Sequence, residues 1–354
     1  MSDKKAVLLV NLGSPDSTKV ADVRRYLAEF LMDRYVIDVP YVLRLLIIYC
    51  FILPFRPKKS AEAYASIWWD EGSPLIILSK KLHTLVQQKC SLEVGLAMRY
   101  ANPSIKFGIE QLLAKQPNLQ ELLLVPLYPH YAMASTLTVI EKTKTVIKKH
   151  FPQLTLSYIE SFYNDPRYIT ALANSIKQHV DFDQFDKLLF SYHGIPERHV
   201  KKTDRTNSHC LKVENCCQTP CAEAQQFCYS HHVYETTRLV VEQLGLNNDQ
   251  YLVAFQSRLG NDPWLTPATD QTIDQLAKDG VKRLAVVCPA FVSDCLETLE
   301  EIGEEAKESF LEHGGESFKL VPCLNDDPQW VDTLVELIED TNMYTVSGTN
   351  DLVI

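Results

Sequence analysis

The chain has 354 residues, 46% hydrophobic and 23% charged, and a formal net charge of −10. That length is enough for two domains of ordinary size, and the composition is that of a globular protein without low-complexity tracts. The acidic balance argues against nucleic acid as a partner, since phosphate binding needs a basic face.

Taken in chain order, short apolar runs alternate with helical patterns. The runs Ala6–Leu12, Val94–Met98, Glu121–Leu127, Thr155–Ile159, Lys187–Tyr192, Tyr251–Gln256 and Arg283–Cys288 read as strands. Val20–Leu31, Ile105–Lys115, Leu137–His150 and Thr236–Leu244 read as helices. Continuous apolar strands separated by helices predict parallel sheets covered on both faces. The N-terminus does not read as a signal peptide, because Asn11, Gly13, Pro15 and Asp16 end the apolar stretch after Lys4 and Lys5 at once. A cytoplasmic location is therefore expected. The longest apolar run, Leu45 to Phe55, is too short to span a bilayer, which takes about 20 residues. With Arg44, Arg56, Lys58 and Lys59 around it, the run suits peripheral contact with the inner membrane or the wall of an apolar cleft; the plainer reading is a buried helix ending at Pro54.

An internal echo points to two domains of similar plan. Leu8-Leu9-Val10-Asn11-Leu12-Gly13-Ser14-Pro15 resembles Leu189-Phe190-Ser191-Tyr192-His193-Gly194-Ile195-Pro196 with one residue of slack. Leu123-Leu124-Val125-Pro126 and Ala285-Val286-Val287-Cys288-Pro289 each run a strand into proline. The expected fold class is α/β, with two Rossmann-like domains over residues 1–165 and 166–320. A C-terminal helix and tail, 321–354, is expected to pack back on the first domain. No GxGxxG follows the first strand, which disfavours a dinucleotide enzyme.

Such sheets bind ligands beyond the carboxyl ends of their strands. His193, Ser257, Arg258 and the segment from Phe291 to Glu297 fall there. A lone histidine is more often structural, but here a carboxylate series follows the last strand. Glu297, Glu301 and Glu305 recur every four residues and are expected to share one helix face as oxygen ligands for a divalent cation. Glu300, Glu304 and Glu308 read as a solvated face. Histidine with carboxylates suits a weak, exchangeable Fe2+ site.

Several strings resemble the ferrochelatase family. In the first half they are Val10-Asn11-Leu12-Gly13-Ser14-Pro15, Arg24 to Leu31, Gly72-Ser73-Pro74, and Arg99-Tyr100 with Asn102-Pro103. In the second half they are Ser191 to Pro196, Phe255-Gln256-Ser257-Arg258, Pro263-Trp264-Leu265 and the very specific Cys288 to Glu301. The resemblance implies the chelatase fold and insertion of Fe2+ into a porphyrin to finish heme, as the final step of heme biosynthesis. It places the family's histidine on His193, taking pyrrole protons or binding the metal, and its facing glutamate on Glu297. Glu301 and Glu305 would conduct iron in or protons out. Arg56, Ser73 and Ser257 match positions that contact porphyrin propionates; Leu12, Tyr100, Trp264 and the Leu45–Phe55 run would form apolar walls; Arg99 would be structural or cleft-lining. Some relatives carry a second histidine where this chain has Cys295, so no role is transferred there; a buried, inert thiol is expected. Protoporphyrin is favoured over coproporphyrin by the apolar run.

Five of the ten cysteines crowd into Cys210 to Cys228, flanked by His209, His231 and His232. In a reducing compartment such a cluster reads as a metal site rather than a disulfide framework. A subset of bacterial ferrochelatases has a similar insert holding a [2Fe-2S] cluster, which implies ligation by Cys210, Cys217, Cys221 and Cys228, with Cys216 able to replace Cys217. Zinc suits the same donors. Competing readings are a chelatase for cobalt or nickel, a heme or metal carrier, and a periplasmic-type binding protein; retention of both His193 and Glu297 disfavours the carrier. No protein partner is read from the sequence.

Overall fold

The computed structural model describes residues 4–258, 260 and 262–347. The chain forms two compact units, the first from residues 4–128, 133–160 and 326–347, the second from 129–132 and 161–325.

In the first unit β1 (Lys5–Asn11) leads into α1 (Val20–Leu31), α2 (Tyr41–Leu46), a π turn over Ile47–Ile52, α3 (Arg56–Ser66) and α4 (Pro74–Lys89). Then come β2 (Glu93–Met98), α5 (Ile105–Lys115), β3 (Glu121–Pro126), a π turn over Met133–Leu137, α6 (Thr138–His150) and β4 (Thr155–Ile159). Residues Ala6 to Val10 have no exposed surface. This explains why β1 is a continuous apolar run rather than an alternating one: helices cover both faces of its sheet.

The second unit runs through α7 (Pro166–His179), β5 (Lys187–His193), α8 (Glu197–Thr203), α9 (Ala222–Gln225), α10 (Tyr229–Leu244), β6 (Tyr251–Gln256), α11 (Thr269–Lys278) and β7 (Arg283–Val287). It closes with α12 (Leu296–Leu299), a π turn over Glu301–Ala306, α13 (Lys307–Glu312) and β8 (Ser317–Leu320). The chain then returns to the first unit as α14 (Pro328–Glu339) and β9 (Tyr344–Val346). Asp327 caps α14, its carboxylate accepting from the backbone N–H groups of Gln329 and Trp330, with Pro328 in the first turn. Lys89 of α4 pairs with Asp332 of α14, and Ser91 donates to Glu339 at 3.0 Å.

The sheet orders show what the sequence echo meant. The first sheet runs β2-β1-β3-β4, with β9 added antiparallel to β4; the second runs β6-β5-β7-β8. β1 and β5 therefore stand in the same place, each with its next strand on one side and its third on the other. That is the arrangement that opens a crevice beyond a strand end. Among the described residues no helix is long and apolar enough to cross a membrane.

Candidate active site at the end of β5

His193 is the last residue of β5 and is half-buried. Its Nδ1 lies 2.6 Å from the carbonyl oxygen of Gly194. A carbonyl can only accept, so Nδ1 carries a hydrogen, which leaves Nε2 as the nitrogen that would accept a proton in the neutral ring. The ring of Phe291 lies 6.1 Å away, centroid to centroid. Gly194 is needed next to it because a Cβ there would come within 2.8 Å of the Gln256 carbonyl, to which the Gly194 N–H already donates at 2.7 Å.

From β6, Gln256 is buried and its amide donates to the main-chain carbonyl of Glu297 at 2.7 Å. Its own oxygen accepts from Ser191 at 2.8 Å. Ser257 has a φ of 67°, which turns its N–H and hydroxyl together onto the Glu301 carboxylate at 2.7 and 2.5 Å. Burial pushes the Glu301 carboxyl above its ordinary 4.5, while the Ser257 hydrogen bond and the His193 charge pull it back. The Glu301 carboxylate thus lies in electrostatic reach of His193.

The glutamate series changes depth along its length. After α12 the chain winds as a π turn, with Glu305 N–H bonded to the Glu300 carbonyl at 2.9 Å. Glu297 and Glu301 are half-buried, whereas Glu305 is exposed like Glu304 and Glu308. Asp294 is spent on the loop: it accepts from Thr298 at 2.9 Å, Asn325 at 2.7 Å and the Cys323 N–H at 3.3 Å. Cys295 is buried, and burial, with Glu297 beside it, holds its thiol well above the ordinary range.

Trp264 pairs with Pro196 across a short antiparallel bridge. With Gly194, Phe255, Gln256, Arg258 and Gln271 it lines a cavity of about 290 Å³ beside the strand end. In the first unit, Leu12 is half-buried after β1 and Arg56 is exposed at the start of α3. Ser73 is 6% exposed at the N-terminal end of α4, so it has little surface to offer a propionate. Tyr100 corrects the expectation of an apolar wall. It is wholly buried, and its hydroxyl donates to Asp33 at 3.0 Å. Arg99 pairs with the same carboxylate and donates to Thr138 at 2.7 Å, which makes both residues part of a closed buried network.

The insert between α8 and α10 is organised by Asp204, whose carboxylate accepts from the N–H groups of Thr206, His209 and Cys210. Burial works to raise this carboxyl, but those bonds and the Thr206 hydroxyl prevail and hold it low. The Cys228 thiol lies in reach of those of Cys210 and Cys217, and Cys216 of Cys217. Mutual contact, the Cys210 thiol first and burial after it, pushes Cys228 up to about 12. Cys221 is half-exposed at the start of α9. His209 and His231 are turned onto the carbonyls of Cys216 and Cys217, each at 2.8 Å. Among the described residues no group of three or more His, Cys, Asp or Glu side chains is placed to hold a metal ion. The insert does supply thiols, the donor type a thiolate-bound group takes.

Residues 4–342 match the family model described as Ferrochelatase. A ferrochelatase of Pseudomonas fluorescens is 50% identical over 94% of this chain and 97% of that protein. One of Stutzerimonas stutzeri is 49% identical over the same shares. Among solved structures, SirB from Bacillus subtilis with Fe3+ matches the fold with a TM-score of 0.54 at 14% identity, covering 95% of each chain. A family model spanning nearly the whole sequence and relatives at half identity agree with the strand-end histidine and carboxylates: the chain belongs to the ferrochelatase family.

Proposed function

We propose that, in the insertion of Fe2+ into protoporphyrin IX that defines this family, His193 accepts the pyrrole protons and Glu301 relays them. Support comes from the tautomer set by the Gly194 carbonyl and from the half-buried Glu301 held by Ser257. A planar porphyrin keeps its nitrogen lone pairs in the ring plane; bending it exposes them on one face while a base removes protons. Glu297 lies one turn before Glu301, and the exposed Glu305 leads to solvent, so the series serves iron entry or proton exit. Trp264 supplies apolar surface at the strand end, while Leu12 is half-buried and Arg56 exposed in the first unit.

The exposed Tyr41, Val42, Phe51 and Phe55, next to exposed Lys58 and Lys59, suit a peripheral contact with a membrane carrying anionic lipid. A cytoplasmic protein that takes an apolar porphyrin from that membrane fits this surface. The insert fits a [2Fe-2S] cluster on Cys210, Cys217, Cys221 and Cys228, with Cys216 adjacent and zinc as the competing occupant. Such a cluster would supply one-electron chemistry that metal insertion does not use, so its part is structural or sensory.

The test is an anaerobic assay with Fe2+ and protoporphyrin IX across pH, alongside iron, sulfide and zinc analysis of the purified protein. Turnover that falls on the acid side, as an imidazole base gains its proton, supports the reading. Tight porphyrin binding with no metallation at any pH would sink it. Iron and sulfide in equal amounts support the cluster; one zinc per chain would replace it.

A further inference from the structure

The first turn of α10 joins two parts of the second unit that the reaction alone would not connect. Cys228 caps this helix, its sulfur accepting from the His231 N–H at 3.5 Å. Ser230 lies 3.2 Å from the Cys217 sulfur, and His231 Nδ1 lies 2.8 Å from the Cys217 carbonyl. His232 reaches the carbonyls of Gln225 and Gln226 at 3.1 Å each. Four of these five consecutive residues hold the insert. The remaining one, Tyr229, is 5% exposed, and its hydroxyl donates to the main-chain carbonyl of His193 at 2.7 Å.

That carbonyl needs such a donor. Alternation along β5 sends the His193 N–H and carbonyl towards the β7 side, since the Gly194 N–H already points to β6. Pairing of β5 with β7 ends at Phe190 opposite Val287, short of His193. The strand stops supporting its own last residue, and a side chain from α10 takes over.

We infer that Tyr229 is a positioning residue for His193, and that the order of the cysteine insert reaches the metallation site through it. The inference rests on His193 as the base. Tyr229 holds the carbonyl of the His193–Gly194 peptide, and the carbonyl of the next peptide, that of Gly194, holds Nδ1–H, so one hydroxyl anchors the backbone from which the ring is set. A disordered insert releases the first turn of α10 and with it this donor.

The experiment compares Tyr229→Phe, Cys217→Ser and the double variant, with His193→Ala as control. Steady-state kinetics are read together with the His193 imidazole resonances in substrate-free protein, assigned by their loss in His193→Ala. Tyr229→Phe is expected to lower kcat about 5- to 10-fold, the weight of one hydrogen bond, with KM for porphyrin and for iron unchanged and the His193 resonances shifted. Cys217→Ser is expected to shift the same resonances in the wild-type background and not further in the Tyr229→Phe background. Unshifted resonances and wild-type kcat in Tyr229→Phe, with His193→Ala inactive, would overturn the inference while leaving the base in place. Equal Cys217→Ser shifts in both backgrounds would overturn the link to the insert. Turnover by His193→Ala would instead remove the underlying reading. If Tyr229→Phe does not fold, 3-fluorotyrosine at position 229 keeps the shape and changes only the donor strength. It must still move the His193 resonances, and unmoved resonances would overturn the inference.

Discussion

The turn after β1 and the turn after β5 stand at the same point of two sheets with the same strand order, and both need a glycine for close backbone packing. At Gly13, with φ of 103°, a Cβ would fall 2.0 Å from the Tyr100 carbonyl; at Gly194 it would meet Gln256. Beyond that they diverge. Around the first, Asp33 is enclosed by Arg99, Tyr100 and Thr138, and its other oxygen accepts the Tyr35 N–H at 2.8 Å. Both oxygens of Asp33 are taken up in this network, which ties α1's end to β2 and α6. Around the second, His193 keeps a lone pair on Nε2, and Glu301 is half-buried with its carboxyl shifted upward. The same scaffold position thus carries a closed ion pair in one unit and a half-buried histidine with a carboxylate in electrostatic reach in the other, which is the contrast the proposed function rests on.

The comparison breaks most sharply under Glu301→Gln. Losing the relay is expected to lower kcat about 100-fold, in the range of one general acid–base group. The same change is expected to affect stability in a pH-dependent way. Because the folded carboxyl sits above its ordinary 4.5, the stability Glu301 contributes is full below that pH and is lost as the pH rises through the raised value. Glutamine carries no such cost, so the melting temperature of the variant relative to wild type should rise from pH 4.5 to pH 8; a gap that shrinks would contradict the assignment. Asp33→Ala should act in the opposite manner. It leaves the Arg99 charge buried and unpaired, and is expected to cost about 3 kcal/mol in denaturant unfolding. Glu305→Gln is expected to be the mildest, raising KM for Fe2+ by about threefold at most with kcat unchanged, since its exposed charge acts through solvent.

Much of this was legible in the sequence, for physical reasons that vary by element. Thr155–Ile159 and Tyr251–Gln256 form strands with the expected bounds, and Val20–Leu31 and Ile105–Lys115 form helices with theirs. Their burial demands leave a plain apolar pattern. The edge strands Ser317–Leu320 and Tyr344–Val346 were not legible, because a short strand paired on one side carries too few buried positions. α10 starts at Tyr229 rather than Thr236; its first turn is built from cysteine, histidine and serine, which the sequence alone assigns to the insert. The π turn over Glu301–Ala306 was not legible, because spacing of four suits an α-helix equally well. Tyr100 looked like cleft lining, since an Arg-Tyr pair after a strand does not reveal that Asp33, 67 positions away, has claimed its hydroxyl. That His193 stands before a glycine at a strand end was legible. Tyr229 was not, because its link to His193 spans 36 positions and no local pattern encodes it.

The most direct test of the account is a single-turnover metallation by His193→Ala, with porphyrin binding and melting temperature measured on the same preparation. The expected result is porphyrin binding and stability like wild type, with metallation slowed by about 1,000-fold, as befits removal of the base alone. Metallation within a few-fold of wild type would contradict the account, returning His193 to the packing of the strand end and leaving the proton acceptor to be sought elsewhere.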